Sequence, residues 1–376
     1  MRLFQSLLSS LLVSLGFSPG AQPERGCGSD QPPSNIKSDE NVVFYPTRGR
    51  WDATENVWRI SIHGKVFEPE EDSIKRKLFV SWLKTSVNKQ TEGLEIRDDR
   101  INPFLVDNER GKSITITLAG KLRNVGKSES NGHFTVELTL EKDDLPIQTD
   151  RSSVIKFDAL LPAEDSRSFQ GRVHLISPKG VSVISDIDDT IKVSKVTDKS
   201  ELLKNTFMRP FRAVGGMAET YRQLADAGAV FHYVSGSPWQ LYQPLQGFLL
   251  DESFPQGTLQ LKHFRLKDSS AFDLIGSQIE NKLAAIKPLL RDFPDRQFIL
   301  VGDTGEQDPE IYGQLAREFP QQIRLICLRN VTNANQTDAR MNEAFEGVED
   351  DRWLLFDQAA EWQNRIAEIG LLLRVD

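Results

Sequence analysis

From residue 181 onward, five short apolar runs recur: Val181–Ile184, Val230–Val234, Phe298–Val301, Ile323–Leu328 and Trp353–Phe356. Between them, apolar residues fall at helical spacing around Met217–Ala227, Trp239–Leu250, Ile279–Leu290 and Ile311–Glu318. Runs this short and this uniformly apolar suit strands covered on both faces. A helix in each connection makes neighbouring strands parallel, so the pattern predicts an α/β domain with a doubly wound sheet over 179–376. Ligands of such sheets sit beyond the carboxyl ends of the strands. The residues that follow each run are therefore the ones to inspect.

Residues 41–178 have a different rhythm. Trp58, Ile60 and Ile62 alternate with Arg59, Ser61 and His63, and Ile114, Ile116 and Leu118 alternate with threonines. Phe134, Val136, Leu138 and Leu140 alternate with Thr135, Glu137 and Thr139, after an Asn131-Gly132 turn. A period of two predicts half-buried strands facing one core. Ile74, Leu78, Phe79, Trp82 and Leu83 instead fit one face of a helix. The expectation is a β-sandwich-like domain with an inserted helix, read as a binding or positioning module. His63, His133 and His174 are scattered along it and are taken as surface or structurally satisfied residues.

A chain of 376 residues, 39% hydrophobic and 27% charged, suits two soluble domains with sizeable cores. The net charge of -8 argues against a general nucleic-acid binder. Cys27 and Cys327 lie far apart and lack ligand spacing, which excludes a disulfide framework and a cysteine-based zinc site. At the N-terminus, Arg2, the apolar run Leu3–Phe17 and Ser18-Pro19-Gly20-Ala21 resemble a secretory signal peptide over 1–21. The competing reading is an amphipathic helix carrying Leu3, Phe4, Leu7, Leu8, Leu11, Leu12 and Leu15 on one face. The expected location is exported or membrane-associated, with a cytoplasmic chain as the alternative. Residues 22–40 read as a linker, being rich in Pro, Gly, Ser and charge.

Three strand ends carry polar chemistry. The first is Asp186-Ile187-Asp188-Asp189-Thr190, where Asp186 and Asp188 stand two apart and lean the same way in extended backbone. Carboxylates so crowded call for a hard divalent cation; the competing reading is an acidic turn in which Asp189 caps a helix. The second is Ser235-Gly236-Ser237-Pro238, offering a hydroxyl, a glycine for close backbone approach and the start of a helix that favours phosphate. Ser237 as a plain helix cap is the alternative there. The third is Gly302-Asp303-Thr304-Gly305-Glu306-Gln307-Asp308, with Lys282 on the preceding helix as a counter-charge and Lys287 as its rival.

The order Asp-x-Asp-x-Thr, Ser, Lys, Gly-Asp-x-x-x-x-Asp resembles the haloacid-dehalogenase (HAD-like) superfamily of phosphohydrolases over roughly Ser182 to Phe356. Asp186 to Lys192, Ser235 to Tyr242, Gly302 to Tyr312 and the closing Trp353-Leu354-Leu355-Phe356 look like the actin-patch-associated phosphatidate phosphatase family. Its bacterial-type relatives likewise carry a β-rich domain ahead of the catalytic one.

The resemblance implies a HAD-like Rossmannoid domain at 179–376 that hydrolyses phosphatidate, or a related phospholipid monoester, to diacylglycerol and phosphate. It implies Asp186 as nucleophile, giving an aspartyl-phosphate, and Asp188 as the acid and base. Ser235, Gly236 and Lys282 would hold phosphate. Mg²⁺ would be held by Asp186, the Asp188 carbonyl and Asp303, with Asp308 in or near its shell. Thr190 would buttress the loop, and Asp189 would brace it or the Lys192 side. A flap after the first motif carries Lys192, Lys195, Lys199, Lys204, Arg209 and Arg212 interleaved with Leu202, Leu203, Phe207, Met208 and Phe211. Such a flap suits an anionic lipid at a membrane surface; equally, its apolar residues could simply pack into the domain. The rival readings are a phosphatase of soluble phosphomonoesters and a non-catalytic lipid-surface binding protein.

Overall fold

The computed structural model describes residues 31–70, 73–87, 93–145, 153–263 and 279–368. The leader expected at 1–21 lies outside these residues, as does the first half of the linker. No helix among the described residues is long and apolar enough to cross a membrane.

The first half is built from β1 (Asn41–Tyr45), β2 (Thr47–Asp52), β3 (Val57–Glu68), β4 (Asp107–Asn108), β5 (Ser113–Leu118), β6 (Lys121–Lys127), β7 (His133–Glu141), β8 (Ser153–Ala159) and β9 (Gln170–Ile176). The expected sandwich of two sheets is not what forms. All nine strands belong to one sheet, in the order β1-β3-β2-β9-β8-β5-β6, with β4 and β7 also pairing β3. The long β3 pairs β1 and β2 along one edge and β7 along the other. Its far edge, β6, curls round to approach β7.

The alternating positions do what their period requires. Ile60, Ile62, Ile116, Leu118, Phe157, Val173 and Leu175 point into one core, closed by Phe44 and Ile36. Ile36 belongs to the stretch read as linker. Residues 34–40 in fact dock on the sheet: the backbone N–H groups of Ser34 and Asn35 donate to Leu160 and Ser113. Fully buried Glu40 pairs with Lys112. Proline and charge in that stretch hid a tether rather than a spacer. The histidines are not scattered either. His63 and His133 lie 3.0 Å apart, ring nitrogen to ring nitrogen, across β3 and β7, while His174 stands apart on β9.

The second half forms the parallel sheet. Its strands are β10 (Gly180–Ser185), β11 (Val230–Pro238), β12 (Gly257–Lys262), β13 (Arg296–Asp303), β14 (Ile323–Arg329) and β15 (Trp353–Phe356), in the order β12-β11-β10-β13-β14-β15. Every neighbouring pair is parallel. The helices are α1 (Ser73–Ser86), α2 (Asp98–Ile101), α3 (Lys199–Phe207), α4 (Met217–Asp226), α5 (Tyr242–Asp251), α6 (Ile279–Asp292), α7 (Asp308–Glu318), α8 (Ala339–Ala344) and α9 (Ala359–Glu368). Both faces of the sheet are buried. Val181, Val183, Ile299, Val301, Leu325 and Cys327 pack with α4, α5 and α9. Ile184, Phe298, Leu300, Ile326 and Leu328 pack with α6, α7 and α8. The chain runs outward from β10 through β11 to β12, then restarts on the other side at β13. That reversal opens a crevice at the carboxyl ends of β10 and β13.

The two halves share a core. Tyr45, Phe79, Leu83, Ile101, Phe104 and Leu105 join the same apolar cluster as Leu203, Phe207, Leu245 and Phe248. Buried Arg100 donates to the carbonyls of Thr206 and Arg209 at 2.7 and 3.2 Å, capping α3, and its guanidinium lies 3.3 Å from the Phe211 ring centre.

Candidate active site

The β10 strand delivers Asp186 to the switch point and holds it there. The Asp186 N–H still donates to Val301 of β13, while Ser185 is tied to Tyr221 at 2.7 Å. Beyond Asp186 the backbone leaves the extended form, with Asp189 at φ 55°. The two aspartates therefore do not share an environment as the two-residue spacing suggested.

Asp186 is fully buried, and neither carboxylate oxygen accepts a hydrogen bond. Lys282 of α6 stands 3.0 Å from Oδ1 as an ion pair. The same ammonium lies 3.1 Å from Glu306 and 2.5 Å from Asp308. Asp303, at the end of β13, accepts from the N–H groups of Gly305 and Glu306 through Oδ1, while its buried Oδ2 has no hydrogen-bond partner. Four carboxylates thus face one ammonium. Burial, reinforced by the neighbouring carboxylates, pushes both Asp186 and Asp303 well above the ordinary aspartate range. Burial disfavours the Lys282 charge, yet Asp186, Asp308 and Glu306 together hold it well above the ordinary lysine value.

That imbalance, together with the orphaned buried oxygens, fits a hard divalent cation. Ligand oxygens of Asp186, Asp303 and Glu306 lie within 4.8 Å of one another. Glu306 was not among the residues expected to bind metal; its charge in the third motif was the one available sign. Asp308 plays another part. It pairs with Lys282 and takes the Asp303 N–H at 3.2 Å. Arg340 of α8 donates to the carbonyls of Thr304 and Glu306 and pairs with Glu310, locking this loop.

Asp188 faces away from that cluster. Lys192 lies 2.7 Å from its Oδ1, where Ser194 also donates at 2.7 Å. Ser235 and Ser237 donate to Oδ2 at 3.2 and 2.7 Å. Burial would raise its pKa, but Lys192 and the hydroxyls outweigh it and hold the group at about 2. Ser194 and Lys192 as Asp188 partners were not anticipated, and Ser237 caps no helix: it lies at the end of β11 and its hydroxyl serves Asp188.

The role of Asp189 is now visible. Its carboxylate accepts from the N–H groups of Ser194, Lys195 and Val196 at 2.8, 2.9 and 2.6 Å, bracing the loop. Thr190 is buried, but its hydroxyl has no hydrogen-bond partner, so it does not buttress through one. A cleft of about 50 Å³ opens on Asp188, Gly236, Ser237 and Glu306, walled by Leu202, Leu203 and Phe207. Wider clefts of about 740 and 770 Å³ lie away from these carboxylates.

The flap packs inward. Leu203, Phe207 and Met208 are buried, as are Lys192 and Lys204. Lys195, Lys204 and Arg209 all pair with Glu201. Part of its charge is thus paired within the flap, while Lys195 and Arg212 remain exposed.

Residues 181–330 match the family described as the phosphatidate phosphatase APP1 catalytic domain. The phosphatidate phosphatase APP1 of Saccharomyces cerevisiae is 32% identical over 288 residues, covering 70% of this chain and 47% of that protein. An uncharacterized protein of Schizosaccharomyces pombe is 29% identical over 209 residues, covering 53% of this chain and 33% of its own. The chain thus spans less than half the length of either relative. A solved 2,6-sialyltransferase from a Photobacterium species aligns over 62% of this chain and 48% of its own at 8% identity and a TM-score of 0.23, too low to carry an argument. The match at 181–330 covers all three motifs, and it is through this stretch that the chain is similar to the APP1 phosphatidate phosphatase family.

Proposed function

We propose that the chain is a Mg²⁺-dependent phosphatidate phosphatase of the haloacid-dehalogenase type, working through an aspartyl-phosphate. The observation that carries the chemistry is Asp186: a fully buried carboxylate with no hydrogen-bond donor, set between Lys282 and the Asp303–Glu306 pair. Asp186, Asp303 and Glu306 would hold the cation, with the Asp188 carbonyl completing the set and Asp308 acting through Lys282. When bound, the cation offsets the repulsion between carboxylate and phosphate and polarises the phosphoryl oxygens.

An Asp186 oxygen attacks phosphorus, the bond from phosphorus to the lipid oxygen breaks, and the leaving alkoxide takes a proton. Water then attacks the aspartyl-phosphate, releasing phosphate and restoring Asp186. Asp188 serves both proton transfers. In the free site it is ionised beside Lys192, the form that accepts a proton from water. Binding of anionic phosphate would draw Lys192 toward itself and raise the proton affinity of Asp188, which takes up a proton from solvent. It gives that proton to the alkoxide and, ionised again, accepts one from the attacking water. Ser235, Gly236 and Lys282 hold phosphate oxygens.

The lipid substrate rests on the similarity at 181–330 and on the name of the Saccharomyces relative. Phosphate release from phosphatidate in mixed micelles, compared with soluble phosphomonoesters and with and without Mg²⁺, tests both parts. Asp186→Asn should abolish turnover with the fold intact. Release confined to soluble esters would remove the lipid substrate and keep the chemistry. Mg²⁺-independent release, or release unchanged in Asp186→Asn, would overturn the chemistry.

A further inference from the structure

Far from the acidic cluster in sequence, three imidazoles converge where the two sheets meet. His63 lies on β3, His133 opens β7, and His263 directly follows β12. One ring nitrogen from each lies within 4.8 Å of those of the other two. His63 and His133 are buried, and His263 is exposed. We propose that His63, His133 and His263 form a site for a borderline transition-metal cation of the Zn²⁺ class, clamping the curled sheet to the parallel one.

The spacing suits that cation. A tetrahedral ion with nitrogen ligands at about 2.0–2.1 Å sets them roughly 3.3–3.4 Å apart. His63 Nε2 and His133 Nδ1 already stand 3.0 Å apart, so a few tenths of an ångström opens that edge. At present the two nitrogens share a proton. Shifting it to the donor ring's other nitrogen frees both lone pairs, and each imidazole stays neutral. Burial keeps them so, holding the His63 pKa at about 3 and that of His133 at about 2.

The surroundings are built rather than accidental. Tyr45 packs 4.6 Å from the His63 ring and Trp239 lies 4.9 Å from it, limiting solvent on that side. On the other side, all three histidines border a cleft of about 770 Å³, which leaves a coordination position for water. Lys65 and Lys75 also border the cleft; burial lowers the Lys65 pKa to about 8, weakening its opposition to a cation, and Lys75 is paired with Glu70 and Asp107. Three neutral nitrogen donors select Zn²⁺, Co²⁺, Ni²⁺ or Cu²⁺ over Mg²⁺ or Ca²⁺, the reverse of the preference at Asp186 and Asp303.

The test uses the untagged full chain carrying Asp186→Asn and Asp303→Asn, which removes the carboxylate cluster as a competitor. After chelator treatment it is titrated with Zn²⁺ by calorimetry, and bound metal is counted by elemental analysis after gel filtration. One Zn²⁺ per chain should bind and raise Tm, with Co²⁺ in its place giving the visible absorption of a tetrahedral nitrogen site. Adding His263→Ala should weaken binding by at least about tenfold and abolish the Tm shift. Because His263 is exposed, circular dichroism should show the fold unchanged. Equal stoichiometry and affinity with and without His263, or no Zn²⁺ bound in either, would overturn the site.

Discussion

Lys282 is the residue on which the acidic cluster balances. It is the ammonium shared by Asp186, Glu306 and Asp308, so Lys282→Met leaves buried charges uncompensated. Breaking a buried pair from one side costs about 3–5 kcal/mol. The loss should appear in urea unfolding at pH 8 and shrink at pH 5, because Asp186 and Asp303 have raised pKa values and take up protons as pH falls. Asp188 has the opposite sign. Its folded pKa of about 2 lies below the ordinary 3.8, so its contribution is full above pH 4 and is lost as pH falls toward 2. At 1.36 kcal/mol per pKa unit that is about 2 kcal/mol. Asp188→Asn should therefore lose stability relative to the parent at pH 5, with the gap narrowing toward pH 3. Gly302 presents a different constraint. A Cβ there would strike the Asp308 carboxylate and the Tyr312 ring, so Gly302→Ala should lower kcat by displacing Asp308 while circular dichroism stays close to the parent.

At the scale of elements, strand runs that are apolar throughout were legible because both faces of β10, β13 and β14 are covered. Edge strand β12 was not, since Gly257, Thr258, Gln260 and Lys262 break its apolar character. The flap helix α3 was missed for a related reason. Its apolar residues are interleaved with charges that pair within the flap, so composition resembled a surface segment. Phe207 shows where it belongs: its ring lies 5.5 Å from Phe79 and 5.8 Å from Phe104, both contributed by the first half of the chain. Phe207→Ala should cost about 3–5 kcal/mol in chemical denaturation. A change near zero would show that α3 is not anchored there.

Across the whole molecule, the apolar cluster continuous from Phe79 to Phe248 makes the halves interdependent. Residues 179–376 expressed alone would expose the faces of α3 and α5 that Tyr45, Phe104 and Leu105 cover, and should elute as aggregates or lose near-ultraviolet dichroism; a sharp monomer peak with native dichroism would show independence. The chain by itself determined the parallel sheet and the three motifs at its strand ends, because period and spacing are local properties of consecutive residues. It could not decide that the β-rich half is one curled sheet, since pairing partners such as β2 and β9 are set by contacts more than a hundred residues apart. Nor could it decide the partners within the site. Asp186 and Asp188 are neighbours in sequence, yet one faces Lys282 and the other Lys192. His63, His133 and His263 converge only because β3, β7 and β12 meet. Each assignment depends on which charges and rings the fold brings within a few ångströms, and that distance exists only in the folded chain.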